Sequence, residues 1–380
     1  IVGGGLSGMS TAARLSNALS NADITVIEPD PLSVSYQAGQ TLVAAGLWDL
    51  SEIIYKTVDK LPSGVKLIKG KVTSFDPKNN KVIVNEKDEV TYDQLVVAAG
   101  ISLNDGAIKG LDGVITSACS KNDDVKNSGI TQNGLHSMYF QEGSRATWEG
   151  IQELIAKAKA HTGSGKLQAI FTQPNTSVKC GGGPKKIMYL THSRLVEAGV
   201  RDKVDMIFYT DGSRMLIVPE FNTAIINQFK ARGFIWHYKH NLTEVNPLSK
   251  IAVFDKHGEK DGAYDEDLEE YDVIKTHENI EIKYDFMHVT PPMKAPDEVG
   301  FSPIGSPKGW VPVNQETLQH VKFDNVWSLG DVAAIKFGKT GGSIRKQYKI
   351  LVDNMVAAME GKSELPSKYD GYTVCPFVTD

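Results

Sequence analysis

The stretch Gly3-Gly-Gly5-Leu-Ser-Gly8 decides the fold that this sequence predicts. It matches the pattern G-x-G-x-x-G, follows a strand-like Ile1-Val2 pair and opens an alanine-rich helical segment at residues 9–19. Glycine at the three matching positions lets the backbone turn tightly and approach a ligand closely. The N-terminus of the helix offers free N–H groups and a partial positive charge, so the stretch suits a bound pyrophosphate.

A second strand with an acid at its end completes this first unit. Residues 24–27 have the pattern of a strand and lead into Glu28, which lies 20 positions after Gly8. An acid at this spacing binds a ribose hydroxyl in dinucleotide-binding folds. The alternative is a doubly wound fold without a nucleotide. Because strand, helix, second strand and acid are all in register, the sequence favours a bound dinucleotide.

The segments that follow indicate FAD as that dinucleotide. Residues 71–77 and 81–85 have the pattern of a hairpin, and residues 92–100 have that of a buried strand that ends in glycine. Such a strand after a hairpin is typical of chains that hold FAD at their first site. We expect Val72 to contact the adenine through its backbone and Gly100 to leave room beside the ribityl chain.

A second strand, turn and helix carries a cysteine in its turn. An apolar run at residues 167–171 leads into Asn175-Thr-Ser-Val-Lys-Cys-Gly-Gly-Gly-Pro-Lys-Lys186, and a periodic segment follows at residues 187–196. This copy lacks G-x-G-x-x-G, which argues against NAD(P)H as a substrate. Cys180 precedes a helix N-terminus and has lysines nearby, and both features favour a thiolate. The alternative is a glycine-rich turn with an inert thiol.

The C-terminal third adds a second set of flavin signals and another cysteine. Residues 325–331 form a strand that ends in Gly-Asp, and Asp331 in this setting accepts a hydrogen bond from the ribityl chain. Lys339-Thr-Gly-Gly342 opens a helix whose positive N-terminus would point at the flavin ring. Cys375 lies 195 positions after Cys180, and the two would form a redox-active pair if they met beside a flavin.

The composition is ordinary for a globular chain of about two domains. The chain has 380 residues, of which 41% are hydrophobic and 23% charged, and its net charge of −5 gives no reason to expect nucleic acid as a partner. No run approaches the roughly 18 apolar residues of a membrane span. Both ends look cut, so we expect any targeting or anchoring segment to lie outside this sequence.

Three cysteines are too few for a disulfide scaffold in a chain of this length, and their settings in turns indicate redox chemistry. Cys119 lies at the edge of a polar loop, where a plain surface thiol and a catalytic role are both open. The acidic residues between positions 261 and 272 show no sharp ligand spacing. We therefore expect a solvated hairpin tip there and no metal site.

The fold class that we predict is α/β, with two tandem Rossmann-like dinucleotide-binding domains and a C-terminal segment. The FAD-binding domain is discontinuous and takes residues 1–118 and 286–350. Residues 119–285 form the second Rossmann-like domain, which lacks an NAD fingerprint. Residues 351–380 form the segment that carries Cys375.

Several longer motifs resemble those of one flavoprotein family. They cover nearly the whole chain and are much more specific than the glycine pattern. They are Pro174-Asn-Thr-Ser-Val-Lys-Cys180, Gly183-Pro-Lys-Lys-Ile-Met-Tyr-Leu190, Met287-His-Val-Thr-Pro-Pro-Met293, Glu316-Thr-Leu-Gln-His320, Lys339-Thr340 and Tyr369-Asp-Gly-Tyr-Thr-Val-Cys-Pro376. On these residues the chain resembles the sulfide:quinone oxidoreductases, most closely the branch that contains the mitochondrial enzymes.

The resemblance implies a role for each matching residue. Cys180 and Cys375 would form the redox pair, bridged by a disulfide or by an extra sulfur. Cys119 resembles a third cysteine of the bacterial enzymes, whereas the mitochondrial branch works with two, so its catalytic role stays open. The residues expected to bind FAD are Gly3, Gly5, Gly8, Glu28, Gln37, Val72, Gly100, Asp331, Lys339, Thr340, Gly341 and Gly342, with Leu6 and Ser7 at the phosphates.

The activity that the resemblance implies is FAD-dependent oxidation of hydrogen sulfide to sulfane sulfur or a persulfide, with electrons passed to quinone. The sulfur acceptor would be a small thiol, sulfite or a growing polysulfide. Because quinone is lipid-soluble, we expect peripheral attachment to a bacterial or mitochondrial inner membrane; a homo-oligomer is open. One alternative is the flavoprotein subunit of a flavocytochrome c-type sulfide dehydrogenase, which passes electrons to cytochrome. Another is a redox sensor of the same fold that is not an enzyme.

Overall fold

The computed structural model describes residues 1–34, 38–111, 130–131, 133–265 and 270–379. The helices are α1 (Leu6–Ala18), α2 (Ala38–Ala44), α3 (Gln141–Ala160), α4 (Gly183–Glu197), α5 (Pro219–Ala231), α6 (Asp297–Gly300) and α7 (Gly341–Met359). The strands are β1 (Thr25–Glu28), β2 (Leu32–Val34), β3 (Ile54–Lys56), β4 (Lys66–Lys69), β5 (Val72–Asp76), β6 (Lys81–Val84), β7 (Asp88–Thr91), β8 (Leu95–Val97), β9 (Ser102–Leu103), β10 (Leu135–His136), β11 (Leu167–Gln173), β12 (Val204–Thr210), β13 (Ile235–Tyr238), β14 (His240–Asn246), β15 (Ile251–Asp265), β16 (Glu270–Lys283), β17 (Phe286–His288), β18 (Met293–Lys294) and β19 (Val326–Ser328). None of the helices in these ranges combines the length and the apolar character that crossing a bilayer requires.

The first sheet is parallel and contains strands from early and late parts of the chain. Val2 bridges to Ile27 of β1 on one side and to Val97 of β8 on the other. β4 extends the sheet beyond β1, and β19 extends it beyond β8. Leu15 of α1 and Leu351 of α7 are buried in the same apolar core as these strands. The glycine turn therefore leaves a central position of a parallel sheet, where ligands bind in this class of fold.

The elements around that turn follow the sequence pattern closely. α1 begins at Leu6, three residues before the predicted helix, because the N–H of Met9 already donates to the carbonyl oxygen of Gly5 at 3.0 Å. β5 and β6 pair in antiparallel fashion and confirm the predicted hairpin. β7 adds a third strand to it. Its sequence, Asp-Glu-Val-Thr, is mostly polar and exposed, so no alternating pattern indicated it.

The second sheet has five parallel strands in the order β10-β17-β11-β12-β13. β11 and α4 correspond to the apolar run and the periodic segment on either side of the cysteine turn. Leu154 of α3, Phe171 of β11 and Tyr189 of α4 are buried together in its core. The turn between β11 and α4 therefore lies at the carboxyl end of a central strand, as the glycine turn does in the first unit.

The pairing of β17 places the end of the second domain later in the chain than predicted. The sequence assigns residues 286–350 to the FAD-binding domain, but β17 pairs in parallel with β10 and β11, with His288 opposite His136 and Phe171. A strand of three residues shows no pattern of its own, and its partners are distant in the sequence. The second unit therefore extends through His288.

The other boundaries stand as follows. α7 continues through residue 350 to Met359, so the C-terminal segment begins only after this helix. The boundary expected at residues 118 and 119 lies outside the described residues. β15 and β16 form the two arms of the hairpin that we expected around the acidic residues, and its tip at residues 266–269 is also outside the described ranges.

Candidate active site

Cys180 lies in a strained turn between β11 and α4. Its φ is +58°, in a region that residues other than glycine rarely adopt. The N–H of Cys180 donates to the carbonyl oxygen of Lys339 at 2.9 Å, and the N–H of Gly183 donates to the carbonyl oxygen of Cys180 at 2.8 Å. Pro184 occupies the first turn of α4, where its missing N–H removes no helical hydrogen bond. These contacts hold the thiol between the second sheet and the start of α7.

The chain that follows α7 brings Cys375 to this turn. The Sγ atoms of Cys180 and Cys375 are 2.6 Å apart, which is about 0.6 Å longer than a disulfide bond. Both thiols are free; Cys180 is 6% exposed, whereas Cys375 is half-buried. A small movement would therefore join the two sulfur atoms.

Two glycines make room for the returning segment. A Cβ built on Gly182 would lie 2.7 Å from Sγ of Cys375 and 2.9 Å from Cζ of Phe377. A Cβ built on Gly342, in the first turn of α7, would collide with the side chain of Val374. The segment thus packs against backbone on both sides, which larger side chains would prevent.

Tyr369 anchors the same segment. Its ring is 4% exposed, and its hydroxyl lies 2.5 Å from the carbonyl oxygen of Tyr372 and 3.3 Å from that of Phe337. The hydroxyl of Thr373 lies 3.4 Å from that of Thr340, the N-cap residue of α7. These contacts fix the backbone just before the second cysteine.

Two lysines of α4 lie beside the cysteine pair. The Nζ of Lys186 is 3.5 Å from Sγ of Cys180. Lys185 is fully buried, and its Nζ donates to the carbonyl oxygen of Gly181 at 3.1 Å and to the side chain of Gln173. Burial lowers the pKa of Lys185 to about 7. Lys185 therefore holds the turn together through hydrogen bonds, whereas the ammonium of Lys186 lies beside the sulfur of Cys180.

The two thiols share one proton in the reduced state. A hydrogen bond donated by the thiol of Cys180 lowers the pKa of Cys375 to about 6, with help from Lys186 and against the effect of burial. The same hydrogen bond, together with burial, raises the pKa of Cys180 above that of an ordinary thiol. At neutral pH the reduced pair therefore carries a thiolate on Cys375.

Two adjoining cavities connect the glycine turn to the cysteine pair. The first, of about 270 Å³, is lined by the predicted residues Gly3, Gly5, Leu6, Ser7, Glu28, Val72, Gly100 and Asp331. The second, of about 440 Å³, is lined by Gly5, Leu6, Glu28, Asp331, Lys339, Thr340, Gly341 and Gly342 together with Cys180 and Cys375. Because the two share residues of the glycine turn, they form one continuous cleft.

Half-buried charges line this cleft. The carboxylate of Glu28 accepts a hydrogen bond from the N–H of Gly4 at 2.6 Å, and burial raises the pKa of Glu28 against the effect of its two backbone hydrogen bonds. Burial also raises the pKa of Asp331, which Lys339 and Lys179 oppose. The pKa of Lys339 is lowered to about 8 by burial. The cleft therefore carries both carboxylates and amines along its length.

Among the predicted residues that the structure describes, Gly8 does not line the cleft. Gly8 serves packing, because a Cβ there would collide with the carbonyl oxygen of Gly3. Gln37 and Cys119 lie outside the described residues. Each remains a prediction.

The cleft also contains residues that the sequence did not single out. Asp30, Ile344 and Val374 line it. Each is close in sequence to a predicted residue, namely Glu28, Gly342 or Cys375. That closeness was the available signal, but neither spacing nor residue type separates such neighbours from ordinary packing residues.

Comparison with known proteins identifies the family. A family model described as pyridine nucleotide-disulphide oxidoreductase matches residues 1–133. The mitochondrial sulfide:quinone oxidoreductase of Dictyostelium discoideum is 35% identical over 381 residues, which cover all of this chain and 74% of that protein. The mitochondrial enzyme of the same name from Mus musculus is 34% identical and is matched over 75% of its length by all of this chain. The chain belongs to the sulfide:quinone oxidoreductase family.

A member of the sulfide:quinone oxidoreductase family is a flavin-dependent enzyme, so the predicted oxidoreductase class and the predicted cofactor, FAD, are confirmed. The alternative of a redox sensor without enzymatic activity is wrong. The crystal structure of the sulfide:quinone oxidoreductase from Aquifex aeolicus matches with a TM-score of 0.71 at 20% identity, over 95% of this chain and 77% of that one. This likeness agrees with the predicted α/β fold.

The cleft of this family member fits FAD. A Cβ built on Gly5 or Gly100 meets no atom within 4 Å, so the space above both residues is open to a ligand. Gly5 is the N-cap residue of α1 and provides no side-chain cap, which leaves the first N–H groups of the helix for an anion. Glu28 ends the neighbouring strand at the spacing of a ribose ligand.

Proposed function

We propose that this protein oxidises hydrosulfide at the Cys180–Cys375 pair and passes the electrons through FAD to quinone. The observation that carries the proposal is the 2.6 Å between two sulfur atoms that are 195 residues apart in sequence, at the wall of the FAD cleft. The names of the relatives from Dictyostelium discoideum and Mus musculus support sulfide and quinone as the two substrates.

The first step opens a disulfide between the two cysteines. Hydrosulfide attacks the sulfur of Cys375, which is the more exposed of the two. A bond forms between the sulfur of hydrosulfide and the sulfur of Cys375. The Cys375–Cys180 bond breaks, and its electron pair stays on the sulfur of Cys180. The products are a persulfide on Cys375 and a thiolate on Cys180.

The second step removes the sulfane sulfur. A small thiol, sulfite or a growing polysulfide accepts it from Cys375 and leaves two reduced cysteines. Closing the disulfide from a thiol and a thiolate would release two electrons and one proton. FAD held in the cleft would supply the two-electron acceptor between the cysteine pair and quinone. Glu28, Asp331 and the run from Lys339 to Gly342 would hold FAD in the cleft that they line.

The decisive experiment replaces one sulfur. Cys180→Ser should keep bound FAD, because Cys180 contributes only one of the residues that line the cleft. It should lose at least ~1,000-fold in the rate of sulfide-dependent quinone reduction, because without this sulfur there is no disulfide for hydrosulfide to open. Flavin absorbance gives the FAD content, and reduction of a soluble quinone gives the rate. Turnover by the FAD-loaded variant at the wild-type rate would reject the cysteine pair as the site.

The choice of electron acceptor needs a separate assay. Wild-type protein given sulfide should reduce the soluble quinone faster than it reduces cytochrome c. The reverse order would favour the flavocytochrome c-type sulfide dehydrogenase.

The place of action follows from the acceptor. Quinone is lipid-soluble, and the relatives are named as mitochondrial. We therefore propose that the protein is peripherally attached to the mitochondrial inner membrane. Salt or carbonate washing of isolated mitochondrial membranes tests this. The proposal fails if the protein is recovered in the soluble fraction before any wash.

A further inference from the structure

Lys186 is a buried cation whose nearest polar neighbour is a sulfur atom. It is 6% exposed, its Nζ lies 3.5 Å from Sγ of Cys180, and it stands 5.9 Å from the centre of the Phe377 ring. Among the residues that the structure describes, no carboxylate forms an ion pair with it. A buried ammonium without a counter-charge is unfavourable, so an anion at this place would stabilise it.

The other charged groups around the pair do not supply that anion. Lys185 and Lys179 are cations on the same wall, and the Nζ of Lys185 is occupied by Gly181 and Gln173. Asp331 interacts electrostatically with Lys339 and Lys179, which oppose the rise in its pKa. Glu28 and Asp30 also line this cavity, but in the described part of the chain neither pairs with Lys186. The anion that reaches the ammonium is therefore a sulfur species, namely a thiolate of the cysteine pair or incoming hydrosulfide.

We infer that Lys186 is a further catalytic residue, whose ammonium receives the negative charge released on Cys180 when hydrosulfide opens the disulfide. The inference rests on the proposed function. In that step the electron pair of the broken bond stays on the sulfur of Cys180, beside the ammonium, and no proton has to move. Lys186 opposes the rise in the pKa of Cys180 and contributes to the lowered pKa of Cys375, which agrees with this role.

A purely structural role makes a different prediction. Lys186 also covers the ring of Phe377, and its alkyl chain fills space beside the returning segment. Lys186→Met keeps most of that packing and removes the charge. Lys186→Arg keeps the charge. Lys346→Met is the matched control, because exposed Lys346 lies 5.6 Å from the centre of the Tyr372 ring in the same segment but faces solvent.

The first measurement is the pH dependence of alkylation. Reduced, FAD-loaded protein is treated with iodoacetamide, and the modification of Cys375 is followed by mass spectrometry. In wild type the reaction should slow as the pH falls through about 6, because the pKa of Cys375 is near that value and its thiolate is lost below it. In Lys186→Met the midpoint should rise by about one to three pH units. Lys186→Arg should restore it, and Lys346→Met should leave it unchanged.

The second measurement is turnover with sulfide and a soluble quinone. Lys186→Met should lose at least ~10-fold in kcat at unchanged FAD content, because the leaving thiolate loses its counter-charge. If Lys186→Met does not bind FAD, Lys186→Gln takes its place. An unchanged alkylation midpoint in an FAD-loaded variant overturns the inference and leaves the cysteine pair intact. Retained turnover by Cys180→Ser overturns the proposed function instead, so the two failures are distinguishable.

Discussion

The two strand–turn–helix units of this molecule have the same architecture, but the space above the first turn is open and the space above the second is filled. Above the first turn, a Cβ on Gly5 would meet no atom within 4 Å. Above the second, a Cβ on Gly182 would meet Sγ of Cys375 at 2.7 Å and the Phe377 ring at 2.9 Å. The first helix N-terminus is open to a ligand, whereas the second is covered by the chain itself.

The difference explains how one kind of turn serves two tasks. In the first unit, glycine and an uncapped helix leave free N–H groups for a phosphate. In the second unit the same helical end lies beside the sulfur of Cys180, and the ammonium of Lys186 adds positive charge there. A segment from elsewhere in the chain occupies the space where a second nucleotide would lie. This occupation gives a physical reason, besides the missing glycine pattern, to expect no NAD(P)H there.

The largest effect should come from filling the second turn. In Gly182→Ala the new methyl group would stand too close to Sγ of Cys375 and to the Phe377 ring, so the sulfur has to leave its present position 2.6 Å from Sγ of Cys180. A displacement of about 1 Å at a reacting atom costs roughly 100-fold in rate. We therefore expect a loss of that order in sulfide-dependent quinone reduction at normal FAD content.

The neighbouring glycine provides the control for that test. A Cβ on Gly181 meets no atom within 4 Å, and the residue is exposed. Gly181→Ala should therefore turn over like wild type. Equal rates for Gly182→Ala and Gly181→Ala would show that the close approach at Gly182 has no part in placing the sulfur.

A smaller effect should follow from filling the first turn. Gly5→Ala places a methyl group in the open space of the cleft, where FAD is expected to bind. The dissociation constant of FAD should rise at least ~10-fold. The free energy of unfolding of the FAD-free protein should fall by no more than about 1 kcal/mol, because only the N-cap of α1 changes. Flavin titration and urea unfolding measure the two quantities. If the variant bound FAD as tightly as the wild type does, Gly5 would not be part of the binding site.

The smallest effect should come from releasing the covering segment. Tyr369→Phe removes a hydroxyl that bonds to carbonyl oxygens of Tyr372 and Phe337. One lost hydrogen bond of this kind costs about 1 kcal/mol. Hydrogen exchange should accelerate at residues 370–378 and stay unchanged in α1. Uniform acceleration across both units would mean that Tyr369 supports the whole fold rather than this segment.

The first unit could be predicted from the sequence far better than the second. Gly3 to Gly8, α1 and Glu28 are neighbours along the chain, and each is specified by local geometry at a fixed spacing. The approach of Cys375 to Cys180 depends on the packing of α7 and on two glycines 160 positions apart in the chain, Gly182 and Gly342. No local pattern encodes such a contact, and only the likeness to a family indicated it.

The same limit explains the misplaced boundary at β17. Three residues, Phe-Met-His, carry no period of their own, and the sheet that they join is defined by partners on β10 and β11. The backbone strain at Cys180 could likewise not be predicted from the sequence. Its φ of +58° arises from hydrogen bonds to Lys339 and Gly183 rather than from the preference of cysteine.

The distance of 195 residues between the two cysteines sets an order of events during synthesis. At ribosomal speeds of 5–20 residues per second, Cys180 emerges roughly 10–40 s before Cys375. The glycine turn and most of both sheets can form in that interval, while Cys180 has no Cys375 to pair with. On the function proposed above, the growing chain is unable to oxidise sulfide through this pair until translation has passed Cys375.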